Sequence, residues 1–237
     1  MRTSLLMCLS LLAQIAWTQH LAGFDTLAAL NLKYGDALIK ISDPFAPQRS
    51  DFYVESDWQY CLALTTKGKV LPFSCRINLV RTHVEAIANR QIRKLRSSAI
   101  QSLLVAGKEY AYYEADAVDG QQLQGFFEIL NRGEVTLLKK YEIGLERAND
   151  FGIDPGIDNS NDQMVLKWSF YYSKDGQRVQ PLGKSRKNIL EVFAPYENKM
   201  KDFIKENHLK WKDPSYLSPA FDYYNRTAKD WEVGDSD

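Results

Sequence analysis

The sequence predicts a mainly β fold with C-terminal helices (α+β), in which a curled antiparallel meander forms a roll, barrel or sandwich capped by two or three short helices. Three observations predict it. Short runs rich in β-branched or aromatic residues follow one another from about residue 35 to 182. Turn residues separate many of these runs, and apolar residues take helical spacing from about residue 183. With 45% apolar residues in 237, the chain can bury a sizeable core.

The predicted strands come first along the chain. Four of the connections between them, "TKGK", "AGK", "NRGE" and "SKDGQ", contain the glycine that tight antiparallel turns favour. The segment "ANRQIRKLRSSA" is ambiguous, because Ile92 and Leu95 with the basic residues also fit a helical turn. The runs predicted as strands are "DALIKIS", "DWQYCLALT", "KVLPFSCRINLV", "HVEAIA", "AIQSLLVA", "KEYAYYEAD", "LQGFFEIL", "EVTLLKKYEI" and "MVLKWSFYY".

The predicted helices lie in "SRKNILEVFAPYENKMKDFIKENHLKW" and beyond it. Apolar residues recur at helical spacing on both sides of Pro195, which breaks the pattern into two short helices. Asp213 before Pro214, and Ser218 before Pro219, each read as an N-cap followed by proline at the first helical position. The second pair starts a helix that turns Phe221 and Tyr224 towards the core, and the basic run "KSRK" (184–187) is predicted to be a solvated helix entry.

The N-terminus predicts export. Residues 1–18 carry one basic residue, a short apolar stretch and small residues before a cut at Gln19, which is typical of a signal peptide. A membrane anchor is the alternative, but the apolar run is shorter than the roughly 20 residues that span a bilayer. We therefore expect a periplasmic or extracellular protein with no transmembrane segment once the signal is removed. The remaining chain divides into an N-terminal extension with the first strand (19–56), the β-domain (57–182), a helical segment packed on it (183–230) and a frayed tail (231–237).

Two cysteines remain after signal removal, in a compartment that permits disulfides. Cys61 and Cys75 flank the predicted turn "TTKGK", in which Gly68 can take positive φ. Their even separation puts both on one face of the hairpin, either directly opposite or one pair apart. Since only direct pairing fits disulfide geometry comfortably, a bridge and two small buried thiols are both open.

The loop "NDFGIDPGIDNSND" (149–162) contains the one metal-like pattern. Asp158, Ser160 and Asp162 place oxygens at alternate positions, as a calcium loop does, and are candidate ligands for calcium, the one candidate cofactor. The continuation of an EF-hand is missing, because Gln163 and Ser169 stand where glycine and glutamate are needed. A solvated polar loop without a bound cofactor is the favoured interpretation.

Other functional signals are sparse. Trp168 and Tyr171 in "WSFYY" are candidate ligand-binding residues, with core packing as the alternative. Thirty basic and thirty acidic residues cancel, so no net field would attract nucleic acid or an anionic membrane. His83 and His208 are predicted to be ordinary surface or interface residues, because no zinc-ligand spacing surrounds them. The sequence has no GxSxG elbow and no glycine-rich phosphate loop.

The order of several motifs resembles a group of secreted proteins of Bacteroidota over about residues 57–228. The motifs are "TTKGKVLPFSCRINL", "GFFEILNRGEVTLLKKYE" and, most specifically, "MKDFIKENHLKWKD" followed by "YYN". This resemblance implies an uncharacterised family of envelope or extracellular proteins, and it supplies no catalytic residues. The cysteines depart from the family pattern, so the resemblance does not imply their bridge.

These observations predict an exported protein that acts as a non-enzymatic binding or envelope-associated module, with an envelope protein or a glycan as candidate partner. The alternative is a secreted or periplasmic hydrolase, with glycans as candidate substrates, that uses carboxylates brought together by the fold. A cleft with two carboxylates about 5 to 10 Å apart would favour the hydrolase. An exposed apolar or aromatic patch without such a pair would favour the binding module.

Overall fold

The computed structural model describes residues 38–40, 52–88, 91–116, 122–146, 163–174, 176, 178–211 and 214–234. The predicted signal peptide and the candidate calcium ligands Asp158, Ser160 and Asp162 lie outside these residues. Within them, the predicted class is confirmed: an antiparallel β-sheet carries three C-terminal helices. None of these helices is long and apolar enough to span a lipid bilayer.

The described strands form one sheet in the order β1-β5-β4-β3-β2-β6-β7-β8-β9-β10-β11. Strand β2 connects two meanders, because it pairs with β3 on one side and with β6 on the other. Every neighbouring pair is antiparallel. The strands are β1 (Leu38–Lys40), β2 (Gln59–Thr65), β3 (Val70–Asn78), β4 (His83–Ala88), β5 (Gln91–Leu95), β6 (Ile100–Val105), β7 (Lys108–Asp116), β8 (Gln122–Asn131), β9 (Thr136–Glu146), β10 (Gln163–Ser173) and β11 (Gln180–Pro181).

All nine predicted strands are present, and the ambiguous segment is also a strand. β5 pairs with β4 and buries Leu95, and the 3₁₀ turn Ser97–Ala99 follows it. A strand places Leu95 against the sheet core while Arg93 and Lys94 stay partly exposed, so pairing with a neighbour overrides the local helical spacing. β11 was not predicted, because two residues are too short to show a pattern.

Cys61 and Cys75 are joined by a disulfide, but their register is not the direct one. Cys61 lies opposite Phe73, and Cys75 lies opposite Gln59, so the two cysteines are diagonal neighbours. Their Cα atoms are 5.9 Å apart, within the range that a bridge spans. The expectation that only directly opposite cysteines suit a bridge was therefore wrong. Closing a loop of this length stabilises a fold by about 3 kcal/mol.

The sheet curls around its first core. Leu95 on β5 and Tyr141 on β9 belong to one buried cluster although six strands separate them in the sheet order. Only a strong curl brings them together, which agrees with the predicted curled meander. The same cluster holds the disulfide and the apolar residues of one sheet face, among them Ala63, Leu71, Phe73, Ile77, Val84, Ala86, Leu103, Val105, Tyr110 and Phe126.

Three helices cover one end of the sheet and form a second core with it. They are α1 (Arg186–Glu191), α2 (Glu197–Glu206) and α3 (Ser218–Gly234), with a 3₁₀ turn at Pro214–Leu217. The predicted break at Pro195 lies between α1 and α2, where the peptide bond before Pro195 is cis. Phe221 and Tyr224 are buried as predicted. The helix α3 continues to Gly234, into the predicted frayed tail, because Trp231 packs against the Tyr196 and Tyr223 rings.

Asn225 attaches α3 to the turn between β8 and β9. Its side-chain oxygen accepts a hydrogen bond from the Val135 amide at 2.9 Å, and its amide nitrogen donates to the Val135 carbonyl at 2.9 Å and to Asn131 Oδ1 at 2.6 Å. A Cβ on Gly133 would lie 2.3 Å from Asn225 Cγ, so a side chain there would displace the asparagine. The "YYN" motif thus joins the helical segment to the sheet.

Candidate functional site

A groove of about 540 Å³ opens on the helical segment, on the surface of α1 and α2 and the residues that follow α2. We call it the cationic groove. Its floor is apolar and its walls carry basic side chains. The lining residues are Arg186, Lys201, Ile204, Lys205, His208, Leu209 and Trp211.

The groove concentrates positive charge in a protein without net charge. Residues 184–211 contain seven Lys and Arg against four Asp and Glu, a local excess of three, whereas the whole chain has thirty of each sign. Among the described residues, no acidic side chain lines the groove. Among the ion pairs of the described residues, none involves Arg186, Lys201 or Lys205. In this part of the protein, the cations of the groove therefore have no carboxylate oxygen within ion-pair distance.

Helix α2 supplies one wall because of its spacing. Lys201 and Lys205 are four residues apart, and His208 follows three later, so the three side chains lie along one side of the helix. Met200 and Ile204 are fully buried and fix the helix on the second core. The packing of α2 thus decides which of its lysines border the groove.

The end of α2 shapes the floor. The Leu209 amide donates to the Ile204 carbonyl at 3.0 Å and the His208 amide donates to the Lys205 carbonyl at 3.2 Å, the two bonds of a Schellman C-cap. His208 occupies the left-handed position of this cap, with φ 53°. The cap brings Leu209 back beside Ile204, which makes the apolar floor.

The opposite wall is Arg186, the first residue of α1. Its guanidinium carbon lies 4.9 Å from the centre of the Trp211 ring, a cation–π distance. Ser185 caps α1 by accepting a hydrogen bond from the Asn188 amide at 3.1 Å. The cap and the indole together orient Arg186. Residues 184–187 are an exposed helix entry, as predicted, and the contact with Trp211 was not part of that prediction.

The two predicted ligand-binding residues are not brought together. Trp168 lies opposite Tyr141 and is 53% exposed, with Lys139 Nζ 4.8 Å from the centre of its ring. Tyr171 is three residues further along the same strand and points to the other face, where it is buried with its ring centre 5.2 Å from that of Phe127. One ligand surface cannot include both side chains.

Glu85 is a fully buried carboxylate that the sequence did not single out. It accepts hydrogen bonds from Tyr53 Oη and Arg76 Nη2, both at 3.0 Å, and from Asn78 Nδ2 at 3.1 Å, with His83 Nε2 3.6 Å away. Burial alone would raise its pKa, but nearby His83 and the hydrogen bonds from Arg76, Asn78 and Tyr53 outweigh burial and lower the pKa to about 2. His83 is thus buried in a polar network and is not a surface residue.

A second buried carboxylate, Glu128, accepts a hydrogen bond from Tyr141 Oη at 2.6 Å. Burial and Glu128 both raise the pKa of the Tyr141 hydroxyl, which stays protonated as the donor. Glu85 and Glu128 are each engaged by their own hydrogen-bond partners. Within the described residues, no three His, Cys, Asp or Glu side chains are arranged to hold a metal ion.

No family model, no curated protein and no solved structure matches this chain. The case for a function therefore depends on the residues of the chain itself.

Proposed function

We propose that the protein is an exported, non-enzymatic binding module whose ligand is a small anion held in the cationic groove. The observation that carries this proposal is the convergence of Arg186, Lys201 and Lys205 on one cavity whose described lining contains no acidic side chain. Arginine and lysine side chains in such a setting favour carboxylate or phosphate groups, which they bind by charge-assisted hydrogen bonds.

The dimensions of the groove suit a small molecule. Sites for small ligands and cofactors typically enclose about 300–1,000 Å³, and the groove has about 540 Å³. Like charges held close together repel each other, so an anion between them gains both the attraction of each cation and the relief of their repulsion. The apolar floor of Ile204 and Leu209, with the Trp211 ring, offers contact to a non-polar part of the ligand.

Export is the part of the proposal that depends on the N-terminal sequence. The signal-like residues 1–18 support it, and the bridge between Cys61 and Cys75 fits an oxidising compartment. The resemblance to secreted Bacteroidota proteins points to the same location. An anion of the periplasm or cell exterior is thus the expected ligand.

The test removes the charges of the two walls in turn. We expect Arg186→Gln, and the double variant Lys201→Gln/Lys205→Gln, each to weaken binding of inorganic pyrophosphate about tenfold or more by isothermal titration calorimetry, because each loses at least one charge-assisted hydrogen bond of about 1.5 kcal/mol. Lys187→Gln is the matched control. Its side chain lies next in sequence, outside the groove lining, 3.7 Å from Glu191, and we expect less than a twofold change.

Two results would count against the proposal. The first is no measurable heat for the unaltered protein with either pyrophosphate or citrate at millimolar concentration. The second is an equal loss for Lys187→Gln and Arg186→Gln, which would mean that only the general surface charge attracts the anion.

A further inference from the structure

We infer that the cationic groove takes a phosphorylated ligand and that His208 is a ligand-contacting residue that sets this preference. The inference rests on the proposed function, because it names the class of anion that the groove would bind. It is carried by the charge of the groove and by the backbone conformation of His208.

The positive charge of the groove favours a chemical group that carries more than one negative charge. Arg186, Lys201 and Lys205 border the same cavity. A single carboxylate brings one negative charge and would leave most of this field unbalanced. A phosphate monoester brings about 1.5 to 2 negative charges and three acceptor oxygens at one point. The guanidinium of Arg186 can also bind two phosphate oxygens at once through its planar fork.

The backbone conformation of His208 at the C-cap of α2 also supports the inference. The left-handed position of a Schellman cap is usually glycine, because a Cβ is sterically disfavoured there. This chain has His208 at that position with φ 53°, and the side chain lines the groove. Residues held in a sparsely populated conformation at a cavity wall point to a use for the side chain. An imidazole N–H is a donor of the kind that a phosphate oxygen accepts.

The chain contains a matched control for this conformation. In the described residues, non-glycine residues with positive φ are Thr82, Ala106 and His208. Ala106 and Gly107 form the two-residue turn between β6 and β7, where Ala106 has φ 48°. Ala106 lies outside the groove lining, so Ala106→Gly relieves the same kind of backbone strain without touching the groove.

The experiment compares His208→Gly with Ala106→Gly in the full chain. We expect both variants to fold and to raise Tm by about 1 to 3 °C, since glycine accepts a positive φ without a Cβ clash. We expect the unaltered protein to bind inorganic pyrophosphate at least tenfold more tightly than citrate, which spreads its charge over separate carboxylates. His208→Gly should lose about tenfold in pyrophosphate affinity, whereas Ala106→Gly should change it less than twofold.

The possible outcomes distinguish the phosphate inference from the anion-binding proposal. Equal affinity for citrate and pyrophosphate, or a His208→Gly variant that binds pyrophosphate as the unaltered protein does, would overturn the phosphate inference and leave the anion-binding proposal standing. No binding of either probe would overturn the anion-binding proposal itself.

A vesicle experiment distinguishes a lipid headgroup from a soluble phosphorylated molecule as the ligand. Phosphatidylcholine vesicles that contain phosphatidic acid are sedimented with the protein, with and without pyrophosphate. Co-sedimentation that pyrophosphate abolishes supports the inference with a lipid headgroup as the ligand. Protein that stays in the supernatant while it binds pyrophosphate supports it with a soluble phosphorylated molecule.

Discussion

Replacing Glu85 with glutamine is expected to lower the free energy of unfolding by about 3 kcal/mol at pH 7. The carboxylate is fully buried and accepts hydrogen bonds from Tyr53, Arg76 and Asn78. Removing one partner of a buried ion pair costs about 3–5 kcal/mol, because the remaining charge stays buried without compensation. The glutamine keeps the shape of the side chain and some of its hydrogen bonds, so we expect the lower end. Urea unfolding measures the loss.

The geometry around Arg76 explains why the loss is large. Its guanidinium carbon lies 3.9 Å from the centre of the Tyr53 ring and 4.2 Å from that of Trp58, so the cation is held between two aromatic faces. This arrangement fastens residues 52–58 onto β3 and β4, with Tyr53 also bridged to Asn78. The double variant Arg76→Met/Glu85→Gln is the control. It removes both charges and is expected to cost less than Glu85→Gln alone.

The same group makes the protein sensitive to acid. Folding lowers the pKa of Glu85 from 4.5 to about 2, so its ionisation stabilises the folded state above pH 4.5. That contribution, about 3 kcal/mol, is lost as the pH falls from 4.5 towards 2. The stability difference between the unaltered protein and Glu85→Gln should therefore shrink over this range. Stability curves that stay parallel from pH 7 to pH 2 would contradict this assignment.

Replacing Phe221 with alanine is expected to lower the free energy of unfolding by about 3–5 kcal/mol, the range for truncating a fully buried phenylalanine. Phe221 is fully buried in the second core, and its ring centre lies 4.8 Å from that of Phe193. Ile204 of the groove floor belongs to the same cluster. Tyr216→Ala is the control, because Tyr216 precedes α3 and is 54% exposed. We expect it to cost less than 1 kcal/mol in the same urea titration, and equal losses would contradict the packing.

Local pattern was enough to predict most of the strands and the helices. Alternation and turn residues mark strands such as β3 and β7, and Pro195 separates α1 from α2 as expected. Local pattern does not encode which strands become neighbours. The pairing of β2 with β6 and the diagonal register of Cys61 and Cys75 arise from contacts between distant residues. The strand β5 was ambiguous for the same reason, since its pairing with β4 decides its conformation.

The candidate site was less predictable than the fold. The spacing of Lys201, Lys205 and His208 on one side of a helix is visible in the sequence and was not used. The rest of the groove is not local, because Arg186 meets Trp211 only after α1 and α2 fold against each other. The positive φ of His208 gives no sequence signal at all, since the position usually calls for glycine. Trp168 and Tyr171 were chosen by residue type, and strand alternation separates them.

The most direct test of the central claim is to locate the bound anion. Pyrophosphate is titrated into uniformly ¹⁵N-labelled protein, and the amide shifts are followed by NMR. An anion in the cationic groove predicts saturable shifts at Arg186 and across residues 201–211, with little change around Trp168 or in the β2–β3 hairpin. Saturable shifts centred elsewhere, or only weak shifts spread over the surface without saturation, would contradict the claim.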